Sequence, residues 1–187
     1  MIALPKEYDY DPRNLPKELL ESIGLAIAGA SQTEDIISLA IGGCLGVEIE
    51  YYIAATTHMT LPLKFSVLRS AAEIRIDNLD DLDELDRLLD DIDKALGKRH
   101  DIAHGEWCRD PETEQLFRVK KVARMSVNAE MAPVTPESVR ADALAIYQAG
   151  LNLMTFIADR GLLPTFPAEK RPRAHKTKAA RKKRRQT

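Results

Sequence analysis

Cysteine is scarce in this chain: Cys44 and Cys108 are the only two among 187 residues. They lie far apart and form no CxxC pair, which excludes the disulfide framework of a small secreted scaffold and points to reduced thiols. Aromatic residues make up only 5% of the sequence while Leu, Ala and Ile abound, a balance that favours packed helices over a β-sandwich. No run is long enough for a membrane span: the longest apolar stretch, Ile36 to Val47, is broken by Ser38, Gly42, Gly43 and Gly46. The opening MIALPKEYDYDPRNLPKE is acidic and carries prolines, without the basic start and apolar run of a signal peptide. A cytoplasmic protein without a membrane partner is therefore expected. No repeat of fixed period suggests a solenoid. No P-loop, dinucleotide fingerprint or GxSxG occurs, and the GGCLG run after Ile41 lacks the strand and the Lys that a phosphate loop requires.

What the chain does hold is enough apolar material, 44%, for one core, together with an uneven distribution of charge. The net charge is only −2, yet residues 168–187 carry ten Lys and Arg against one Glu, which leaves the rest of the chain at −11. This tail has no large apolar side chain and cannot bury surface to offset the entropy of ordering, so a disordered basic tail is expected. Its Lys170, Arg171, Arg173, Lys176, Lys178, Arg181, Lys182, Lys183, Arg184 and Arg185 suit RNA, DNA or another anionic surface through counterion release. A solubilising or self-associating role is the alternative.

The 15–167 region reads as successive helices after an irregular segment at 1–14. Pro16 precedes Leu19, Leu20, Ile23 and Ile27 at helical spacing. Ser31-Gln32-Thr33-Glu34 has the form of a capping box, so the chain either restarts a helix there or runs through. Glu48 to Thr57 reads as a connection, and Thr60-Leu61-Pro62 as the start of a helix ending near Asp77-Asn78. Next, Leu82, Leu85, Leu88, Leu89, Ile92, Ala95, Leu96, Ile102 and Ala103 recur at three and four residues. The nine carboxylates between Asp77 and Asp93 form its solvated face. After His104-Gly105 the helical period is lost until Val134. A turn at Asp110-Pro111-Glu112-Thr113 between short β-prone runs predicts a small hairpin at about 106–127. Thr135-Pro136-Glu137-Ser138 then opens a last helix, with Gly161 beyond its end. The expected fold is mainly all-α, a four-to-five-helix bundle with a small β-hairpin inserted before the last helix.

The reactive side chains concentrate in Lys98-Arg99-His100-Asp101-Ile102-Ala103-His104-Gly105. At about 100° per residue from Ile92, Arg99 falls near −20°, on the apolar seam with Leu96 and Ala103. His100 and His104 fall near 80° and 120°, at the seam's edge and one turn apart, while Asp101 points away. A guanidinium on a buried stripe is costly without a carboxylate, a polyanionic ligand or a partner subunit. The structural reading pairs Arg99 with a carboxylate such as Glu48 or Glu34 and treats the histidines as residues favoured by the helix dipole. Zinc would need a third ligand from Glu106, Cys108 or Asp101, and HDIAH is not HExxH. Cys44 reads as a small core residue, Cys108 as the more exposed thiol, and Trp107 and Tyr51-Tyr52 as packing residues that could also stack on bases.

RHDIAHGEW resembles the R-N-x-x-x-H-G-x-W stretch of many prokaryotic HEPN proteins, a superfamily of small helical bundles that includes many metal-independent ribonucleases. Arg99, His100 and His104 match its shortest R-x4-H form at the end of a long Leu-rich helix, with His100 where Asn or Asp is usual. The resemblance extends over about residues 15–160 in architecture and about ten residues at motif level. It implies cleavage of RNA by 2′-OH attack without a metal or other cofactor, with His104 as general base or acid, Arg99 on the phosphate and His100 orienting the others or supplying a second proton-transfer site. It further implies a homodimer paired through the motif helices and a role in defence or a toxin-antitoxin pair, with a cognate antitoxin as partner. A non-catalytic helical interaction module, or an RNA-binding accessory protein acting through its tail, is the alternative reading.

Overall fold

A computed structural model describes residues 8–124 and 126–166, with side chains outside 122–128; the ten basic positions of the tail lie outside the described residues. Its helices are α1 (Lys17–Cys44), α2 (Ile49–Thr56), α3 (Leu61–Arg75), α4 (Leu79–His104) and α5 (Pro136–Asp159). Three antiparallel strands in the order β1-β2-β3 stand between the last two helices: β1 (Glu106–Arg109), β2 (Leu116–Arg124) and β3 (Ser126–Val134). The mainly helical bundle with a β insertion is therefore the fold. No helix among the described residues is long and apolar enough to cross a membrane.

The core is aliphatic. Leu19, Ile37 and Ile41 of α1, Leu68 of α3, Leu85, Leu89, Ile92 and Ile102 of α4, and Ile146, Leu153 and Ile157 of α5 are fully buried, each stabilising the fold by roughly 1.5–3 kcal/mol relative to exposure. α1 packs chiefly on α5, which in turn packs on α4. Small residues make the first contact close: Gly150 of α5 sits against Thr33, whose hydroxyl donates to the Gly29 carbonyl at 2.9 Å.

That contact resolves the Ser31–Glu34 ambiguity: α1 runs through without a break. Thr33 faces α5, and its hydroxyl bonds back along the helix instead of capping a new one. Residues 49–56, expected as a connection, form the helix α2. Its Tyr52 ring rests on Gly42, and a methyl at Gly43 would overlap the Leu162 carbonyl, so these glycines admit close neighbours. The inserted sheet extends to Val134, past the expected hairpin. Asp9 bonds to Arg109 in both directions at 2.9 and 3.0 Å, laying the N-terminal segment along the free edge of β1. Thr135 and Ser138 close a reciprocal capping box at the start of α5, and Gly161 (φ 63°) follows its end.

Candidate functional site

α4 ends in the reactive run. Ile92, Ala95, Leu96 and Ile102 are buried, and Arg99 on the same stripe is half-buried. Its Nε is buried and has no hydrogen-bond partner. Neither Glu34 nor Glu48 pairs with Arg99, and its guanidinium makes no hydrogen bond or ion pair with any described residue. The structural pairing weighed from the sequence is thus not formed. A planar cation held partly out of water without a carboxylate is a strong attractor for an anion with two acceptor oxygens.

His100 and His104 are exposed on the adjoining face, with ring centroids 4.6 Å apart and planes tilted by 49°. Both line a cavity of about 160 Å³ with Asp101, Gly105, Glu106, Val119, Lys120 and Lys121. The helical spacing that set them one turn apart has brought them into contact. Histidine is the side chain suited to exchanging protons near neutral pH, and two in contact offer a donor and an acceptor together.

The opposite wall comes from β2, through tertiary contacts that local sequence patterns do not reveal. Lys120 Nζ donates to Asp101 at 2.9 Å, and Arg118 lies 3.7 Å from the same carboxylate. The Lys120 bond is the main reason that the Asp101 carboxyl sits below its ordinary pKa, with the charges of Lys120, Arg118 and His100 adding to it against desolvation. Lys121 donates to Glu106 at 2.6 Å. Lys120 and Lys121 match the two carboxylates of the cavity wall, and Arg118 and Arg99, outside its lining, add two further cations at this end of a body that is otherwise acidic. The sequence reading does not include these β2 cations among the candidate site residues. The alternation in Leu116-Phe117-Arg118-Val119-Lys120 was the available signal, since period two puts Arg118 and Lys120 on one face.

Gly105 and Trp107 hold the two walls together. A Cβ at Gly105 would lie 2.7 Å from both the Arg118 side chain and the Asp101 carbonyl, so the strand's close return from the helix end needs a glycine. Trp107 packs against the core, and its indole N–H donates to the Ile102 carbonyl at 3.3 Å.

The remaining candidates have other positions. Cys108 is fully buried, contrary to the exposure expected of it, because it lies on the sheet face covered by Tyr8 and Tyr10. Burial pushes its thiol up, and pushes Cys44 up to about 11, which disfavours the thiolate a nucleophile needs. Tyr52 is buried and Tyr51 exposed. Among the described residues no three His, Cys, Asp or Glu side chains are gathered where a metal ion could be held. Comparison with protein-family models, with curated proteins and with solved structures finds no match.

Proposed function

We propose that this chain is a metal-independent endoribonuclease of the HEPN type, with Arg99, His100 and His104 as its centre. The observation that carries this reading is a half-buried Arg99 without a partner among the described residues, one position before the first of two exposed imidazoles in contact, although Arg99 does not itself line the cavity they share. A phosphodiester supplies what Arg99 lacks: paired anionic oxygens, on which negative charge grows as a nucleophile adds. One imidazole takes the proton from the ribose 2′-OH as its oxygen attacks the adjacent phosphorus. The other protonates the departing 5′-oxygen, leaving a 2′,3′-cyclic phosphate. DNA lacks the attacking hydroxyl and is not a substrate in this scheme.

The basic wall of Arg118, Lys120 and Lys121 suits the flanking phosphates, and residues 168–187 add affinity without sequence readout. A groove of about 360 Å³ between α4 and α5, lined in part by Leu88, Ala95 and Ala149, offers an apolar surface for pairing two copies. Leu144 and Tyr147 of α5 are also exposed.

The test is incubation of the purified chain with single-stranded RNA and with the matching DNA in excess EDTA, followed by analysis of product ends. Cleavage of RNA alone, with cyclic phosphate ends, is expected. Light scattering of the same preparation reads the pairing, and a strict monomer at tens of micromolar would count against a composite site. Intact RNA at all protein concentrations would instead favour the non-catalytic module. Deletion of residues 168–187 should weaken RNA binding and flatten its salt dependence while leaving the melting temperature nearly unchanged.

A further inference from the structure

A second cavity, of about 560 Å³, shares no lining residue with the one beside the histidines. It lies between α1, α2 and the start of α3, and its volume falls within the range of roughly 300–1,000 Å³ usual for small-molecule sites. Lys64 of α3 lines it at 7% exposure and makes no hydrogen bond or ion pair with any described residue. Lysine is almost never buried to this degree without a partner. As the fourth residue of α3, its charge also lies near the positive end of the helix dipole, which disfavours a cation and favours an anion.

Glu34 and Asp35 line the same cavity, yet neither closes an ion pair with Lys64. Burial first, and then the charge of Asp35, push the Tyr52 phenol up, so the negative field of the carboxylate reaches the cavity wall. Ser38 and Thr56 donate their hydroxyls to the Glu34 and Tyr52 carbonyls at 3.0 and 2.8 Å, which leaves both oxygens free to accept. The cavity thus joins one cation that has no partner among the described residues to a set of acceptors. A simple anion would satisfy Lys64 but be repelled by two carboxylates. A simple cation would satisfy the carboxylates and leave Lys64 stranded.

We propose that this cavity binds a small zwitterion, an amino acid or an amine-bearing acid of similar size, with its anionic group on the Lys64 ammonium and its own ammonium at Glu34 and Asp35. The site is independent of the ribonuclease reading, because the two cavities have separate walls and this test does not use RNA.

Calorimetry and thermal unfolding of the full chain provide the test, with glycine, β-alanine, L-arginine and phosphoethanolamine as zwitterions, acetate and inorganic phosphate as anions, and ethylamine as the cation. At least one zwitterion should bind saturably and raise the melting temperature, with the simple anions and the amine at least roughly tenfold weaker. Lys64→Met should remove binding. The double variant Glu34→Gln, Asp35→Asn should lose the preference for the zwitterion over phosphate, and it decides the question if Lys64→Met fails to fold. The proposal is overturned if no zwitterion shifts the melting temperature at about 10 mM, well above a millimolar Kd. Binding that survives in folded Lys64→Met, or phosphate binding the parent as well as any zwitterion, would overturn it equally.

Discussion

The two ends of α4 use charge in opposite ways. In its first half four carboxylates are matched by arginines from outside the helix: Arg69 of α3 bonds to Asp86 and Asp90, each at 2.8 Å, and Arg160, just beyond α5, bonds to Asp81 at 2.7 Å and to Glu84. The Arg160 guanidinium also lies 4.0 Å above the Phe156 ring. At the other end cations are in excess. Lys98 takes Asp142 at 2.6 Å, Lys120 and Arg118 share Asp101, and Arg99 has no partner. At the acidic end both arginines are closed in ion pairs, whereas a half-buried guanidinium without a partner costs stability that a bound anion would recover.

The sharpest way to break this contrast is to remove the unpaired end. His104→Ala should reduce RNA cleavage to background, because the proton-transfer group is lost. Arg99→Ala should slow it about 10²–10³-fold, equivalent to roughly 2–4 kcal/mol of lost transition-state stabilisation. Neither substitution should lower the melting temperature appreciably, since neither side chain has a hydrogen-bond partner to strand. A structural Arg99 would give the reverse pattern, with lost stability in Arg99→Ala and no cleavage by the parent. Cleavage that survived both substitutions in folded protein would belong to another site or to a contaminant.

The acidic end should respond in the complementary sense. Arg160→Ala removes two ion pairs and the contact with Phe156, and is expected to cost about 1–2 kcal/mol in urea unfolding, with part of the loss screened by salt. Its RNA cleavage should match that of the parent. An Arg160 variant defective in cleavage but unchanged in stability would reverse the roles assigned to the two ends.

The same contrast marks what could be read in the sequence. α4 was legible over nearly its whole length, because a leucine stripe with carboxylates between its members fits one period and one face. α1 was ambiguous because Ser31–Glu34 satisfies a local capping rule that close packing of Thr33 on α5 overrides. α2 is not legible because Gly42, Gly43 and Gly46 read as chain breakers, whereas the first two let Tyr52 and Leu162 pack onto α1. The third strand, which contains Pro133, gave no clear alternation. At the site, spacing along one helix placed Arg99, His100 and His104. The cations from β2 depend on how the sheet folds back on the end of α4, a contact between residues 15 or more apart that no local pattern encodes.

Asp101, a carboxylate of the basic end with two cations against it, tests whether that end follows the same electrostatics as the acidic one. Its carboxyl sits below the ordinary value of 3.8, chiefly through the hydrogen bond from Lys120. A group whose pKa is depressed on folding stabilises the native state above its unfolded pKa, and loses that contribution as the pH falls through the folded value. Asp101→Asn should therefore cost under about 1 kcal/mol at neutral pH, given partial exposure and solvent screening. The difference between parent and variant should shrink below about pH 4, as the parent's carboxylate protonates. Urea unfolding at a series of pH values measures that difference directly. If it closes on acidification, Asp101 contributes through its charge and serves to hold the β2 cations beside the histidines. If an equal difference persists at the acid limit, the contribution comes from packing or a neutral hydrogen bond, and the basic wall is held by the docking of β2 on the end of α4.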